Sequence, residues 1–161
     1  MPERLLEKVR RMHSLLWTLV VAGVLLLQAV PQSWGTSQDI FRPRVPPGQI
    51  AAARALRNPL PASAEMIASG KALFHEKGFC EACHGADGKG LGGDIPSGSL
   101  KGPVPRNFTD KAWQAARTDG ELFWILKNGS KGTAMASFVP RVLTVEEAWQ
   151  VVLYVRAFGR P

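Results

Sequence analysis

The sequence Cys80-Glu81-Ala82-Cys83-His84 sets the interpretation of the whole chain, because its spacing is the one at which haem is attached covalently to proteins. Two thiols one helical turn apart can add to the two vinyl groups on one haem edge, and the next imidazole then reaches the iron. We therefore predict thioether bonds at Cys80 and Cys83, with His84 as the proximal iron ligand and one covalent haem c as the cofactor.

A CxxC pair has other common uses, and the rest of the sequence argues against each. A structural zinc site needs four ligands, but no cysteine follows Cys83 and no histidine follows His84. A redox pair of the thioredoxin type opens the helix of a βαβ unit, whereas this pair closes a helix-like segment. A thiol protein without haem stays open as an alternative, and a haem stain on a denaturing gel tests it.

The second axial ligand is predicted to be Met135. It lies in residues 128–138, a glycine-rich stretch that follows a predicted helix and can fold over the far haem face. Met66 falls on the apolar face of a predicted helix, so we expect it in the core, and His75 lies only five residues before Cys80. Thioether ligation raises the reduction potential and closes the iron to substrates. If Met135 does not bind, a five-coordinate haem enzyme or gas sensor is the alternative.

These residues together resemble the class I cytochrome c family, and the resemblance covers about residues 62–159. Its motifs are Gly70-Lys71-Ala72-Leu73-Phe74, the stretch from Cys80 to Gly85, Gly132-Thr133-Ala134-Met135, and a last helix with Trp149 and Tyr154.

The resemblance implies an all-α fold, a small helical domain around one covalent haem, that transfers electrons rather than catalysing a reaction. It implies that the helix with Gly70 and Phe74 crosses the last helix at Trp149 and Tyr154. It also implies a proline carbonyl behind the proximal histidine, which either Pro103 or Pro105 can supply. One departure is that Ala136 stands where many relatives have proline, so we expect a less rigid loop at the distal ligand.

Helix signals predict the same all-α domain, at residues 63–161, without the family. Predicted helices begin at Ser63, Thr109, Thr118 and Thr144, and the last two have a glutamate three residues on that completes a capping box. Gly78 is predicted to end the first of these helices. Residues 85–102 contain seven glycines and are predicted to be loop.

Residues 1–35 are predicted to be a membrane anchor or a signal peptide. Sixteen uncharged residues from Leu15 to Val30 follow a basic flank. As an anchor, the segment would place Trp17 and Trp34 near the two membrane interfaces; as a signal peptide, it offers small residues at positions 33 and 35 for cleavage. Both forms export the haem domain, so we expect it on the periplasmic side, either anchored to the cytoplasmic membrane by this segment, which is the preferred form, or exported after signal cleavage.

Residues 36–62 are predicted to be a proline-rich tether, because five of them are prolines. A disordered spacer is preferred here over a short docking helix from Gln49 to Arg57. Such a tether would hold the haem domain off the bilayer or run along a partner subunit.

Charge and composition favour protein partners over nucleic acid. The chain has a net charge of +7, but its basic residues are scattered and no nucleic-acid-binding motif accompanies them. A positive balance can steer a carrier toward acidic partner surfaces. Arg106 is either a partner for a haem propionate or an ordinary solvated arginine.

We predict a one-electron carrier that has no small-molecule substrate and is not an enzyme. Its partners would be redox proteins or subunits of a membrane respiratory complex. The alternative is that the chain is itself a haem c subunit of a larger membrane-bound oxidoreductase, into which it would assemble through the apolar segment. The sequence does not name the electron donor or acceptor.

Overall fold

A computed structural model describes residues 41–90, 99–100 and 102–160. Its helices are α1 Pro47–Ala55, α2 Ala64–His75, α3 Glu81–His84, α4 Lys111–Ala116, α5 Asp119–Asn128 and α6 Val145–Ala157. These residues contain no strand, and the all-α prediction is confirmed.

The predicted anchor or signal peptide at residues 1–35 lies outside the described residues. Within those residues, no helix has both the length and the apolar composition needed to span a bilayer.

The helices begin at the predicted caps, with one exception. Ser63 accepts a hydrogen bond from the Met66 amide at 3.2 Å, and both capping boxes, at Thr118 and Thr144, are formed. The exception is α4, which is capped by Asp110 rather than Thr109. The Asp110 carboxylate accepts from the Ala112 and Trp113 amides at 2.8 and 3.1 Å, whereas the Thr109 hydroxyl is turned to the side chain of Asn107, at 2.7 Å.

Helix α2 ends at His75, three residues before the predicted stop at Gly78. Its last carbonyls are taken by the residues that follow: Leu73 accepts from the Gly78 amide at 2.7 Å, and Phe74 accepts from the Cys80 amide at 2.8 Å. Such bonds satisfy the carbonyl groups that a helix end leaves without partners. The end of α2 therefore fixes the backbone position of the first cysteine.

The core is centred on the crossing of α2 and α6. Gly70 faces the Gln150 carbonyl so closely that a Cβ there would lie 2.0 Å from its oxygen. Beside it, Phe74 and Tyr154 pack edge to face with ring centroids 5.3 Å apart. Trp149, also expected at this crossing, stacks its ring on Phe123 of α5 with centroids 4.1 Å apart.

The disordered-spacer interpretation is wrong for residues 47–55, which form α1 and pack on α5. The helix begins with Pro47 at its first turn, where a missing amide hydrogen costs nothing. Ala53 is buried against Gly120, and a Cβ on that glycine would lie 1.9 Å from the Ala53 carbonyl oxygen. Asn58 then donates to the Trp149 carbonyl at 3.1 Å. Small residues on both helices permit this close contact between α1 and α5. No local pattern in the sequence predicts it.

Candidate haem site

One cavity, of about 240 Å³, is lined by all four residues that the sequence nominates: Cys80, Cys83, His84 and Met135. Most of its wall is apolar, with contributions from α2, α4, α5 and α6: Phe74, Phe108, Trp113, Leu122, Ile125, Leu126, Phe138, Val151, Val152 and Val155. The two halves of the predicted ligand set, far apart in sequence, therefore meet at the same space in the fold.

The cysteines lie at the start of α3 and within it, so the expectation that this pair closes a helix is wrong: α2 ends at His75, and Cys80 begins a separate short helix. Cys80 is buried, Cys83 is half-buried, and both are free thiols. The His84 amide donates to the Cys80 carbonyl at 2.9 Å, so one helical turn joins the first thiol to the imidazole. Burial raises the pKa of the Cys80 thiol to about 11. Because a reactive redox cysteine needs a lowered pKa, this environment does not suit a thioredoxin-type pair.

His84 lines the cavity as a neutral imidazole. Its ring stacks on Phe108 with centroids 4.4 Å apart, and its Nδ1 atom is buried without a hydrogen-bond partner. Burial lowers the His84 pKa to about 4, and the backbone of Arg106 partly offsets this without reaching hydrogen-bond geometry. The neutral ring is the form that binds metal ions.

The expected proline carbonyl is not found behind His84. Pro103 and Pro105 both line the cavity, but neither makes a hydrogen bond to the ring, and the backbone that acts on the ring is that of Arg106. An acceptor normally holds the second ring nitrogen of a metal-binding histidine, and Nδ1 of His84 has no such partner in this structure.

Met135 is held by its own loop, although no proline follows it. Its amide donates to the Thr133 hydroxyl at 3.1 Å, and its carbonyl accepts from the Ser130 amide at 2.9 Å. The loop starts at Gly129, whose φ of +75° ends α5, and it rejoins the helix where the Phe138 amide donates to Leu126 at 2.8 Å. Both polar backbone groups at the methionine are thus satisfied.

The two residues excluded as ligands lie away from the cavity. The sulfur of Met66 accepts from Gln150 at 3.7 Å, in the seam between α2 and α6. The His75 ring contacts Glu81 at 2.5 Å and the Tyr154 hydroxyl at 3.1 Å, so both of its nitrogens are occupied. Neither side chain lines the cavity, in agreement with the sequence interpretation.

Charged residues that line the cavity are Arg44, Arg106, Arg117 and Glu121. Arg117 is buried, and it donates to the carbonyl of Arg42 at 2.8 Å. Burial lowers the Arg117 pKa, Glu121 opposes this, and the neighbouring arginines add to it. Sequence reasoning pointed to Arg106 alone, because the other two are 73 residues apart and no motif connects them.

Sequence reasoning also missed two aromatic residues of the site. Phe108 stacks on the imidazole, and Trp113 is buried behind it at a centroid distance of 5.3 Å. The sequence contains one indication for Phe108: it lies two residues after Arg106, which is a candidate partner for a haem propionate.

The residues present fit a covalently bound haem c. Two free thiols, a neutral imidazole and a thioether line a mainly apolar space, and cationic side chains lie at its wall. The Nδ1 atom of His84 is buried without a hydrogen-bond partner, so the protein alone does not satisfy this imidazole.

Comparison with known proteins agrees with this chemistry. Residues 65–155 match the model of the protein family described as cytochrome c oxidase, cbb3-type, subunit III, a range that contains all four nominated residues. No curated protein matches the chain.

The chain is also similar to a solved structure of the Kuenenia stuttgartiensis reducing HAO-like protein complex Kustc0457/Kustc0458. The TM-score is 0.52 at 29% identity, over 64% of this chain and 49% of that one. This chain therefore corresponds to about half the length of that relative.

Proposed function

Because the chain belongs to the family of cytochrome c oxidase, cbb3-type, subunit III, we propose that it carries a single haem c joined through Cys80 and Cys83, with His84 and Met135 as axial ligands. The cytochrome c domain implies haem c and haem-based electron transfer with redox partners. The observation that supports this ligand set is the convergence of all four side chains on one cavity.

Each residue has a role that follows from its environment. A bound haem c supplies an iron that gains or loses one electron. His84, kept neutral by burial, offers a nitrogen to the metal; Met135 offers a thioether from a loop whose backbone is fixed by hydrogen bonds. The apolar walls exclude water, which favours the reduced state of the haem iron because that state carries less charge. With both axial positions taken, the site transfers electrons and has no position for a substrate.

The physiological setting that we propose is the extracytoplasmic face of the cytoplasmic membrane, with residues 1–35 as the anchor. A free carrier tethered there is one form. The second form, a haem subunit of a membrane oxidoreductase, is supported by the family description and by a relative that belongs to a complex. Native electrophoresis of gently solubilised membranes, followed by haem staining, separates the two by the size of the stained species.

Absorption spectroscopy of Met135→Ala tests the ligand set. Sulfur on ferric iron gives a weak far-red band, and we expect the variant to lose that band and to have a lower potential while its haem stays attached on a denaturing gel. Met66→Ala is the matched control, because Met66 lies outside the cavity, and it should keep the band. Persistence of the band in Met135→Ala would show that another residue is the distal ligand.

A further inference from the structure

Residues 41–57, here called the basic segment, expose both cationic and apolar side chains. The segment contains four arginines, and no aspartate or glutamate lies between residues 40 and 64. Two large apolar side chains are also exposed, Phe41 at 55% and Leu56 at 41%. Elements that lie in a membrane interface combine arginine or lysine with aromatic and leucine side chains in this way. The family match begins at residue 65, so this surface is an addition to the matched domain.

Both ends of the basic segment are held at the start of α5. Near its beginning, the Arg42 carbonyl accepts a hydrogen bond from the Arg117 guanidinium at 2.8 Å. At its end, Leu56 packs on Gly120, where an added Cβ would lie 2.8 Å from the Leu56 Cβ. The two ends therefore meet within residues 117–120, and the segment is a fixed part of the domain surface.

The arginines of this surface differ in their contacts. Arg54 lies 3.4 Å from the carboxylate of Glu121, which is 2% exposed, so its charge is partly offset. Arg57 is exposed and donates one hydrogen bond, to the Arg54 carbonyl at 2.9 Å. A guanidinium has five N–H donors, so this bond leaves Arg57 able to bind a second group. The side chain of Arg42 is exposed as well.

The position of the basic segment in the chain favours a lipid surface as its partner. In the proposed setting residues 1–35 are the anchor, and Phe41 follows six residues later. Six residues span at most about 20 Å, and a charge is screened over about 8 Å at physiological salt. The bilayer thus stays within reach of this segment at all times, whereas a protein partner has to arrive by diffusion.

We infer that the basic segment binds anionic phospholipid headgroups through Arg42 and Arg57, with Phe41 and Leu56 inserted among the headgroups. This inference rests on the proposed function and on its membrane setting. A guanidinium matches a phosphate with two parallel hydrogen bonds. Each cation near an anionic membrane strengthens binding about fivefold, and burial of the apolar side chains in the interface adds to this.

Such binding gives the haem domain a defined orientation. Arg44 and Val45 of the same segment line the haem cavity. A bilayer bound at this segment therefore lies on the same side of the domain as that wall of the cavity. The haem would be held beside the membrane, where redox partners embedded in the bilayer exchange electrons.

The test follows a spin label on the basic segment of the full, haem-loaded chain in lipid nanodiscs. Gln49→Cys carries the nitroxide, since Gln49 is exposed in α1 and both native thiols are taken by the haem. Nickel chelated to lipid headgroups speeds the relaxation of a nitroxide that lies close to them. We expect faster relaxation in discs that contain phosphatidylglycerol than in phosphatidylcholine alone, and loss of the difference at high salt.

Two double variants of the labelled chain separate this surface from net charge. Arg42→Gln with Arg57→Gln should lower the ratio of bound to unbound domains about thirtyfold. Lys71→Gln with Lys131→Gln removes two exposed charges outside the segment and should lower the ratio less than fivefold. If processing removes residues 1–35, flotation of the mature chain with phosphatidylglycerol vesicles measures the same two ratios.

Three outcomes are decisive. Relaxation of the wild-type chain that does not depend on phosphatidylglycerol would overturn the lipid site, and an acidic protein surface would then be the remaining partner. Equal losses in the two double variants, each with the haem absorption of a folded domain, would overturn the roles of Arg42 and Arg57. Both results leave the proposed function intact, whereas a wild-type chain that does not stain for haem on a denaturing gel would overturn that function.

Discussion

Replacing Gly70 by alanine should lower the free energy of unfolding by about 2 kcal/mol. The added Cβ would lie 2.0 Å from the Gln150 carbonyl oxygen, about 1.4 Å inside ordinary contact at 3.4 Å, and 3.1 Å from the Tyr154 Cβ. The close neighbour is backbone, which cannot rotate away, so α2 must move off α6. Such overpacking costs about 1–3 kcal/mol, and this site belongs at the upper end. Alanine recovers about 1 kcal/mol of helix propensity over glycine, which leaves the net figure.

Urea unfolding of the haem-loaded protein measures this loss. For a slope of about 2 kcal/mol per molar, the midpoint should fall by about 1 M. Gly48→Ala is the matched control, since the same substitution in α1 meets no heavy atom within 4 Å, and it should leave the midpoint unchanged or raise it. A midpoint for Gly70→Ala at or above that of the wild type would refute the close crossing of α2 and α6.

Three further predictions concern the packing of α1, a surface ion pair and the haem attachment. Gly120→Ala should push α1 off α5, because its Cβ would lie 1.9 Å from the Ala53 carbonyl oxygen; we expect faster amide exchange in α1 and a loss of about 1–3 kcal/mol. Glu147→Gln should cost about 0.5–1 kcal/mol at pH 7 by urea unfolding, because hydrogen bonds from Lys77, at 2.6 and 2.8 Å, lower the pKa of that carboxyl. Cys83→Ser should keep the haem on the denatured chain through one thioether, while the alkaline pyridine spectrum moves to longer wavelength because one vinyl group is restored.

The pH dependence of the Glu147 variant has a definite sign. A lowered folded-state pKa means that the wild type gains stability above the ordinary glutamate value of 4.5 and loses it as pH falls through the lowered pKa. The difference between Glu147→Gln and wild type should therefore be present at pH 7 and fade below pH 4.5. Glu146→Gln, an exposed neighbour in the same helical turn, is the control and should show a smaller difference at pH 7.

The other two predictions can be contradicted as directly. Unchanged amide exchange in α1 of Gly120→Ala would mean that this helix does not pack on α5 in solution. A pyridine spectrum of Cys83→Ser identical to that of the wild type would mean that this cysteine forms no thioether.

Local patterns made the haem chemistry and the helix starts predictable from the sequence. Cys80, Cys83 and His84 are joined by one helical turn, and the two residues of a capping box, such as Thr118 and Glu121, are three positions apart. In both cases the interacting groups are neighbours in the chain, so backbone geometry alone brings them together. The predicted helix start at Thr109 is one residue early, because the Asp110 carboxylate accepts from the first amides of α4.

Only the tertiary structure decided which distant residues share the cavity. Arg44 and Arg117 line one cavity, Trp149 stacks on Phe123 of α5, and α1 forms where a spacer was expected. Each of these outcomes brings together segments that lie tens of residues apart in the sequence, and the packing of α1 on α5 also depends on the close contact that Gly120 permits. Packing of this kind is set by shape and volume across the whole core, and a one-dimensional pattern of apolar and charged residues does not contain it.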